Sequence, residues 1–384
     1  MKAIAVFTKY NDKYILMHIE GNRAEHIYAY KELDGGLAGA IINCRIERQA
    51  ENIGSSFVTY APKMTGFINK TLKCQKVIPL MYRNDAYNEK KARFTDKLTI
   101  DGKYTVAELN AGFVKCSSKI PSDIKDKLKK RFRPIADELG IGIIIRTKTY
   151  TESAEDLAEK ELYAMKDMFD DIMNCSQHSP QYTVLYRPLP ECISDVLYLL
   201  DMGVTEIVTD DEDIMAMLSA EYMHVSGPVS VTDRVSLRFY EDKLLSLFNL
   251  YAMNAKLSEA LERNVYLKSG ARITIDNTEA LTAIDVNSSE NDKDGKKEET
   301  FISVNCEAAY EIARQIRLRN ISGMIVIDFI SMKSDIDYDK LAQTLKDAVK
   351  SDRSACRFVD FTGLKLAELV RTRRGLPLHS ILRG

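Results

Sequence analysis

Two short apolar runs in the C-terminal third of the chain, Leu281-Thr282-Ala283-Ile284-Asp285-Val286-Asn287 and Met324-Ile325-Val326-Ile327-Asp328-Phe329, each carry a lone aspartate near their end. Short length, β-branched content and polar or glycine flanks predict two buried strands. An ionised carboxylate in a buried strand is costly unless something compensates it. On neighbouring strands two of them repel unless a cation sits between. A hard divalent ion such as Mg²⁺ suits that position, because it takes few carboxylates and keeps places for water and phosphate. A second reading stays open: a strand-end aspartate is also a common turn former or helix cap. The likeness of the two settings, and the Asn287 that follows Asp285 by two residues, weigh toward a metal site.

The rest of the composition narrows the class. A chain of 384 residues exceeds one simple core, so two to four domains are expected. Hydrophobic content of 45% and charged content of 29% fit a globular protein. No apolar run reaches the roughly 18 residues of a membrane helix. The start, MKAIAVFTKYNDK, is too short in apolar residues for a secretory signal, so no membrane association and a cytoplasmic location are expected. A formal net charge of −2 excludes a chain that coats nucleic acid by bulk charge, but leaves room for a local basic groove. The seven cysteines stand singly, without a CxxC pair or a Cys/His cluster, and no zinc site is expected. The five histidines are dispersed and give no support to a nucleophilic triad.

Residues 1–36 alternate as strands and end at a turn signal, Asp34-Gly35-Gly36. Residues 37–90 continue as short strands, with Phe57-Val58-Thr59-Tyr60 and Gly66-Phe67-Ile68 the clearest, and predict a small β-barrel. Residues 98–150 mix strands with a basic helix, Ser122–Arg133, and a buried strand ending at Arg146-Thr147. A charged helix follows over 152–174, then alternating strands and helices over 183–265. The αβ unit over 266–384 holds the two aspartates, separated by a charged loop, Ser289–Glu299, and a helix over Phe301–Arg319. Arg314, Arg317 and Arg319 near the end of that helix read either as dipole compensation with solvation or as a phosphate-binding edge beside the metal.

Several blocks together resemble the ribonuclease E/G family. They are Ile275 to Ser288 (IDNTEALTAIDVNS), Asn305-Cys306-Glu307-Ala308-Ala309, Glu311 to Arg319 (EIARQIRLR), Gly323 to Phe329, and Leu366 to Arg373 (LAELVRTR), which resembles the family's L-L-E-x-x-R-Q-R. Their spacing is kept without gaps from residue 275 to 373. Gly39 to Phe67 resembles the S1 RNA-binding domain, with Phe57 and Phe67 at its RNA-facing aromatics and Lys90 where the family has a lysine near RNA. From the residues alone both phenylalanines also read as barrel core.

The resemblance implies an α/β chain of several subdomains. Residues 1–36 plus 191–262 would form a discontinuous RNase H-like subdomain, 37–97 an inserted S1-like (OB-fold) barrel, 98–190 a 5′-sensor region, and 263–384 a DNase I-like catalytic subdomain. Asp285 and Asp328 match the family's metal ligands and Asn287 its orienting asparagine. Gly102, Val106, Arg146 and Thr147 match its 5′-phosphate pocket. The implied activity is Mg²⁺-dependent endonucleolytic hydrolysis of single-stranded RNA (Mn²⁺ a substitute, zinc not required), in ribosomal RNA maturation or messenger decay, leaving 5′-phosphate and 3′-hydroxyl ends. The rivals are an RNA-binding protein with weakened catalysis and a metal-dependent deoxyribonuclease. Departures from the family pattern are Ala355 in place of the pocket's arginine, with Arg353 and Arg357 as flanking substitutes, Ser331 in place of a second acidic residue, and an acidic 289–299 loop. The family's zinc-link cysteines and small domain have no counterpart before Gly384, so a monomer or homodimer is expected rather than a large zinc-linked assembly.

Overall fold

The computed structural model describes residues 3–34, 36–50, 52, 54–84, 91–224, 227–288, 297–350 and 352–383. The chain is mixed α/β and divides into two compact units, one of residues 1–33, 194–219 and 232–384, the other of 34–193 and 220–231. Among the described residues no helix is long and apolar enough to cross a membrane.

The first unit holds two sheets. Its five-stranded sheet runs Ser236–Phe239, Glu206–Thr209, Ala3–Tyr10, Lys13–Glu20, Arg23–Tyr30. The first three strands are parallel, and the last three form an antiparallel meander. Its six-stranded sheet runs Asn264–Tyr266, Arg272–Asn277, Leu281–Asn287, Gly323–Asp328, Ala367–Arg371, Cys356–Phe361. Only the central pair, Leu281–Asn287 with Gly323–Asp328, is parallel, and the helix Lys297–Leu318 makes the crossover between them. That helix and Asp335–Lys350 cover one face. Ala308, Ile312, Ile316, Leu341 and Leu345 pack there against Ile273, Ile284, Ile325 and Ile327.

The expectation that the two aspartate strands are wholly buried is corrected here. Their burial alternates along each strand: Ile284, Val286, Ile325 and Ile327 are buried, whereas Ala283, Asp285, Met324 and Asp328 are exposed. One sheet face is packed by helices and the other is open, the usual consequence of a period-two side-chain pattern.

The second unit contains a closed barrel and a smaller sheet. Strands Ile41–Ala50, Ser55–Ala61, Met64–Ile68, Ala92–Thr95 and Val77–Asn84 pair in that order, and the last closes on the first. The barrel core includes Ile42, Val58, Ile68, Leu80 and Phe94. Gly66 has no alternative, since a Cβ there would lie 2.6 Å from the Phe94 ring and 2.7 Å from the Ala92 carbonyl oxygen. The smaller sheet runs Val114–Cys116, Ile141–Ile145, Thr105–Leu109, Thr99–Asp101. The helices Ser122–Leu139 and Glu155–His178 bury Phe132, Leu162 and Phe169 in the core they share with it.

In the first unit a buried histidine pair faces across the meander, His18 opposite His26, with their Nδ1 atoms 3.4 Å apart. Burial, then the charges of Arg317, His18 and Arg371, pushes His26 down to about 3 from the ordinary 6.5. Burial also lowers His18, with Glu20 opposing. Because the folded values lie below the unfolded one, the unfolded chain binds more protons at mildly acidic pH. Stability should therefore be full above pH 6.5 and fall on acidification toward the folded value. The slope is at most about 1.4 kcal/mol per pH unit for each histidine. Urea unfolding between about pH 7 and about pH 5, above the main carboxylate range, measures it. His26→Gln should flatten the profile, and a wild-type profile already flat there refutes the account.

Candidate active site and nucleic-acid face

Asp285 and Asp328 are register partners on the parallel pair, so they stand side by side on the open face, at the same end of both strands. Adjacent strands lie about 4.8 Å apart, which brings the two carboxylates within reach of one ion. Neither forms an ion pair among the described residues. Asn287, two residues on and on the same face, donates its Nδ2 hydrogen to the Asp285 carboxylate. Thr274 lies across from Asp285 on the neighbouring strand. Exposure removes the argument from desolvation, but not the argument from like charge: two carboxylates in register, with no ion-pair partner among the described residues, repel unless a cation lies between them. Two carboxylates, an amide and open solvent fit Mg²⁺, which retains several waters. No group of three or more His, Cys, Asp or Glu side chains gathers among the described residues.

Asn305 fixes the chain where it leaves Asp328. It is fully buried on the crossover helix, donates to the Ile330 carbonyl at 2.8 Å, and accepts from the Ile330 amide at 3.1 Å. Tyr338 receives the Met332 amide at 3.3 Å, just beyond. Asn305 stands within one of the blocks that resemble the family, yet nothing in its local pattern assigns it this clamp.

For Arg314 and Arg319 both readings need correction. In a parallel strand–helix–strand crossover the helix ends near the start of the second strand, away from the aspartates at the strand ends. Arg314 is 4% exposed and donates to Glu311, to Glu259 at 2.6 Å and to the Ala24 carbonyl at 2.5 Å. Arg319 is buried and donates to Gln315 Oε1 at 2.8 Å. They belong to an internal network, neither solvated nor phosphate-facing. Arg353 is likewise committed: with Arg374 it pairs with the buried Asp195, which also accepts the Tyr30 hydroxyl at 2.8 Å. It does not stand free to replace the arginine missing at Ala355; Arg357 is exposed.

On the barrel, Phe57 and Phe67 are direct cross-strand partners, half-buried, with their neighbours Val58 and Ile68 in the core. They therefore lie on the outer face and are not core residues. Arg48 pairs with Phe57, and Arg93 with Phe67. The result is one row across four strands, Arg48–Phe57–Phe67–Arg93. The Arg48 guanidinium lies 4.4 Å from the Phe57 ring centroid, Lys91 Nζ lies 5.0 Å from it, and Arg93 lies 5.9 Å from that of Phe67. Aromatic faces flanked by cations suit single-stranded nucleic acid, offering stacking to bases and charge to phosphates. Arg48, Lys91 and Arg93 were not singled out from the sequence. Arg48 and Arg93 sit on other strands than the phenylalanines, so only cross-strand register joins them to the row. Lys90 lies outside the described residues.

Gly102, Val106, Arg146 and Thr147 gather at one corner of the smaller sheet. Arg146 donates its amide to the Tyr104 carbonyl at 2.9 Å, and Val106 pairs with Asp101 and Ile144. Two anions of the protein already occupy this corner. Glu161, 4% exposed, accepts the amides of Lys103, Tyr104 and Thr105 at 2.6, 3.0 and 2.8 Å, and the Thr105 hydroxyl at 2.8 Å. A Cβ on Gly102 would lie 2.3 Å from the Glu161 carboxyl carbon. The close approach that glycine permits is thus made by Glu161. Arg146 pairs with Asp101 at 3.1 Å, and Thr147 donates its hydroxyl to Ser117 at 3.1 Å.

Residues 99–374 match the model of the ribonuclease E/G family. Ribonuclease E of Nostoc sp. is 28% identical over 355 residues, covering 88% of this chain and 51% of that protein. Ribonuclease E of Haemophilus influenzae is 32% identical over 302 residues, covering 78% of this chain and 31% of that protein. Ribonuclease G of Salmonella typhimurium is 27% identical over 394 residues, covering 95% of this chain and 78% of that protein. The chain thus spans about half or less of the two ribonuclease E sequences.

The barrel geometry separates face from core by mutation. Ile68→Ala, at a site 2% exposed, should cost about 2–5 kcal/mol. Phe67→Ala, one residue away on the outer face, should cost well under half of that. Chemical denaturation of the two variants checks it, and equal losses would return Phe67 to the core.

Proposed function

Since the chain belongs to the ribonuclease E/G family, we propose that it is an endoribonuclease that cuts single-stranded RNA with Mg²⁺ held by Asp285 and Asp328. The observation that carries this reading is the in-register carboxylate pair with Asn287 bonded beside it. A divalent ion bound there supplies Lewis-acid chemistry, activating water and offsetting charge on the phosphodiester. The two carboxylates bind, and Asn287 holds Asp285 in orientation. Asn305 keeps the chain beyond Asp328 in place. Attack of water on phosphorus with departure of the 3′ oxygen leaves 5′-phosphate and 3′-hydroxyl ends. The aromatic row of the barrel selects unpaired RNA, because only splayed bases can stack on it. In this reading residues 1–36 with 191–262 are RNase H-like, 263–384 DNase I-like, and the cellular role lies in ribosomal RNA maturation or messenger decay.

A second reading, an RNA-binding protein of this fold with weakened catalysis, draws on the lack of a third carboxylate among the described residues. One assay separates the two: cleavage of an oligoribonucleotide with Mg²⁺, with EDTA, and with Asp285→Asn or Asp328→Asn. The endonuclease reading expects metal-dependent cleavage that each variant reduces at least about a hundredfold, since each removes one of two charged ligands, with RNA binding retained. Near wild-type turnover in either variant would sink the metal assignment.

We also propose that Arg146 and Thr147 sense a 5′-monophosphate, but only modestly. A phosphate there competes with Asp101 for Arg146. The ratio of kcat/KM for 5′-monophosphorylated over 5′-hydroxyl RNA should stay within about tenfold, or about 1.4 kcal/mol. Asp101→Asn should raise it and Arg146→Ala bring it toward unity. A ratio unmoved by both variants leaves no working sensor at this corner.

A further inference from the structure

Beyond Phe67 the row on the barrel runs into a hollow formed by the ends of strands Met64–Ile68, Val77–Asn84 and Ala92–Thr95 and the turn that follows the last of these. Arg83, Arg93 and Lys97 line it, together with Asn69 and Asp96. All three cationic side chains are exposed, and none makes an ion pair among the described residues. Asp96, the one acidic group lining the hollow, is already bonded by Lys70 Nζ. Among the described residues the hollow therefore collects three positive charges without an ion-pair partner. Arg93 belongs to both places: its guanidinium lies 5.9 Å from the Phe67 ring centroid and it forms part of the hollow's wall. Across the neighbouring strand Arg93 pairs with Asn84, which places Arg83 next in line at the register irregularity.

Clustered like charges at one end of a sheet repel, and a bound anion relieves that repulsion. A strand of RNA whose base stacks on Phe67 must carry its next phosphate past Arg93. From this juxtaposition we propose that the hollow is a phosphate subsite, holding the RNA backbone next to the stacked base through Arg83, Arg93 and Lys97. The proposal rests on the barrel being an RNA-binding surface. It adds a fixed direction: the bound strand crosses the barrel from Arg48, over the two rings, and ends in this hollow.

The test uses the full chain, a fluorescent single-stranded oligoribonucleotide, and EDTA so that the strand stays intact. Affinity is measured over a series of KCl concentrations for wild type, Arg83→Gln/Lys97→Gln and Phe57→Ala. Each phosphate contact on a single strand contributes about 0.7 to the slope of log affinity against log salt, so the double variant, which weakens one such contact, should flatten that slope by up to about 0.7. Phe57→Ala should lower affinity with the slope unchanged, because stacking releases no counterions. Both variants change surface side chains, and unaltered thermal unfolding confirms that each is folded. A double variant with the wild-type slope, beside a Phe57→Ala that has lost affinity, overturns the phosphate subsite and leaves the aromatic face standing. If neither variant alters RNA affinity, the barrel is not the RNA-binding surface and both readings fall. Equal competition by inorganic phosphate against wild type and double variant would also overturn the subsite.

Discussion

The parallel pairing of Leu281–Asn287 with Gly323–Asp328 is the constraint on which the candidate active site depends. Its register sets Asp285 beside Asp328, and its packing decides which way both point. Alternation along a strand has a period of two, so a slip of one residue in either strand would turn its aspartate toward Ile312 and Leu341 under the helices. That move would take a carboxylate out of water into an apolar layer, at a cost of several kcal/mol. The correct register is thus enforced by the core on the far side of the sheet. The aspartates contribute to specifying it as groups that must stay out.

The barrel uses the same device. Val58 and Ile68 are pulled into the core, and this commits Phe57 and Phe67 to the outside, next to each other. Two half-exposed phenylalanines on a sheet surface forgo part of the roughly 25 cal/mol per Å² that full burial would return. Arg48, Lys91 and Arg93 cover their faces in the free protein. In both places the functional groups are held by strands whose opposite faces carry the stability, which separates the site from the folding energy.

Buried polar networks explain where local reading misled. Breaking a buried ion pair by removing one partner typically costs about 3–5 kcal/mol. Arg371 is held by Asp352 at 2.8 Å and by Asn320 and the Ile321 carbonyl. Arg353 and Arg374 share Asp195, and Arg314 shares Glu311 and Glu259. Each is an arginine that local sequence presents as a surface cation. Arg371 is withdrawn by an acidic partner 19 residues away, Arg314 by one 55 away and by Glu311 one helical turn off, and Arg353 and Arg374 by one more than 150 away. At the Arg146 corner the effect runs the other way. The amides of Lys103 to Thr105 form an anion nest of the kind that binds phosphate, and Glu161 from a distant helix fills it.

Much of this was legible in the sequence because it is local. Alternation and β-branching marked the strands around Asp285, Asp328, Phe57 and Phe67, and helical periodicity marked Phe301–Arg319, observed as Lys297–Leu318. The motif blocks from 275 to 373 carried the family. The tertiary structure decided which face each side chain takes, and with what partner. It turned the aspartates from buried to exposed, set the two phenylalanines on the outside as the resemblance implied, and withdrew Arg314 and Arg353 into internal pairs. It also joined Arg48 and Arg93 into one row with the rings. The physical reason is common to all of these: facing and pairing depend on contacts between residues far apart in the chain. A local pattern fixes the period of burial along a strand, whereas its phase is set by whatever packs against it.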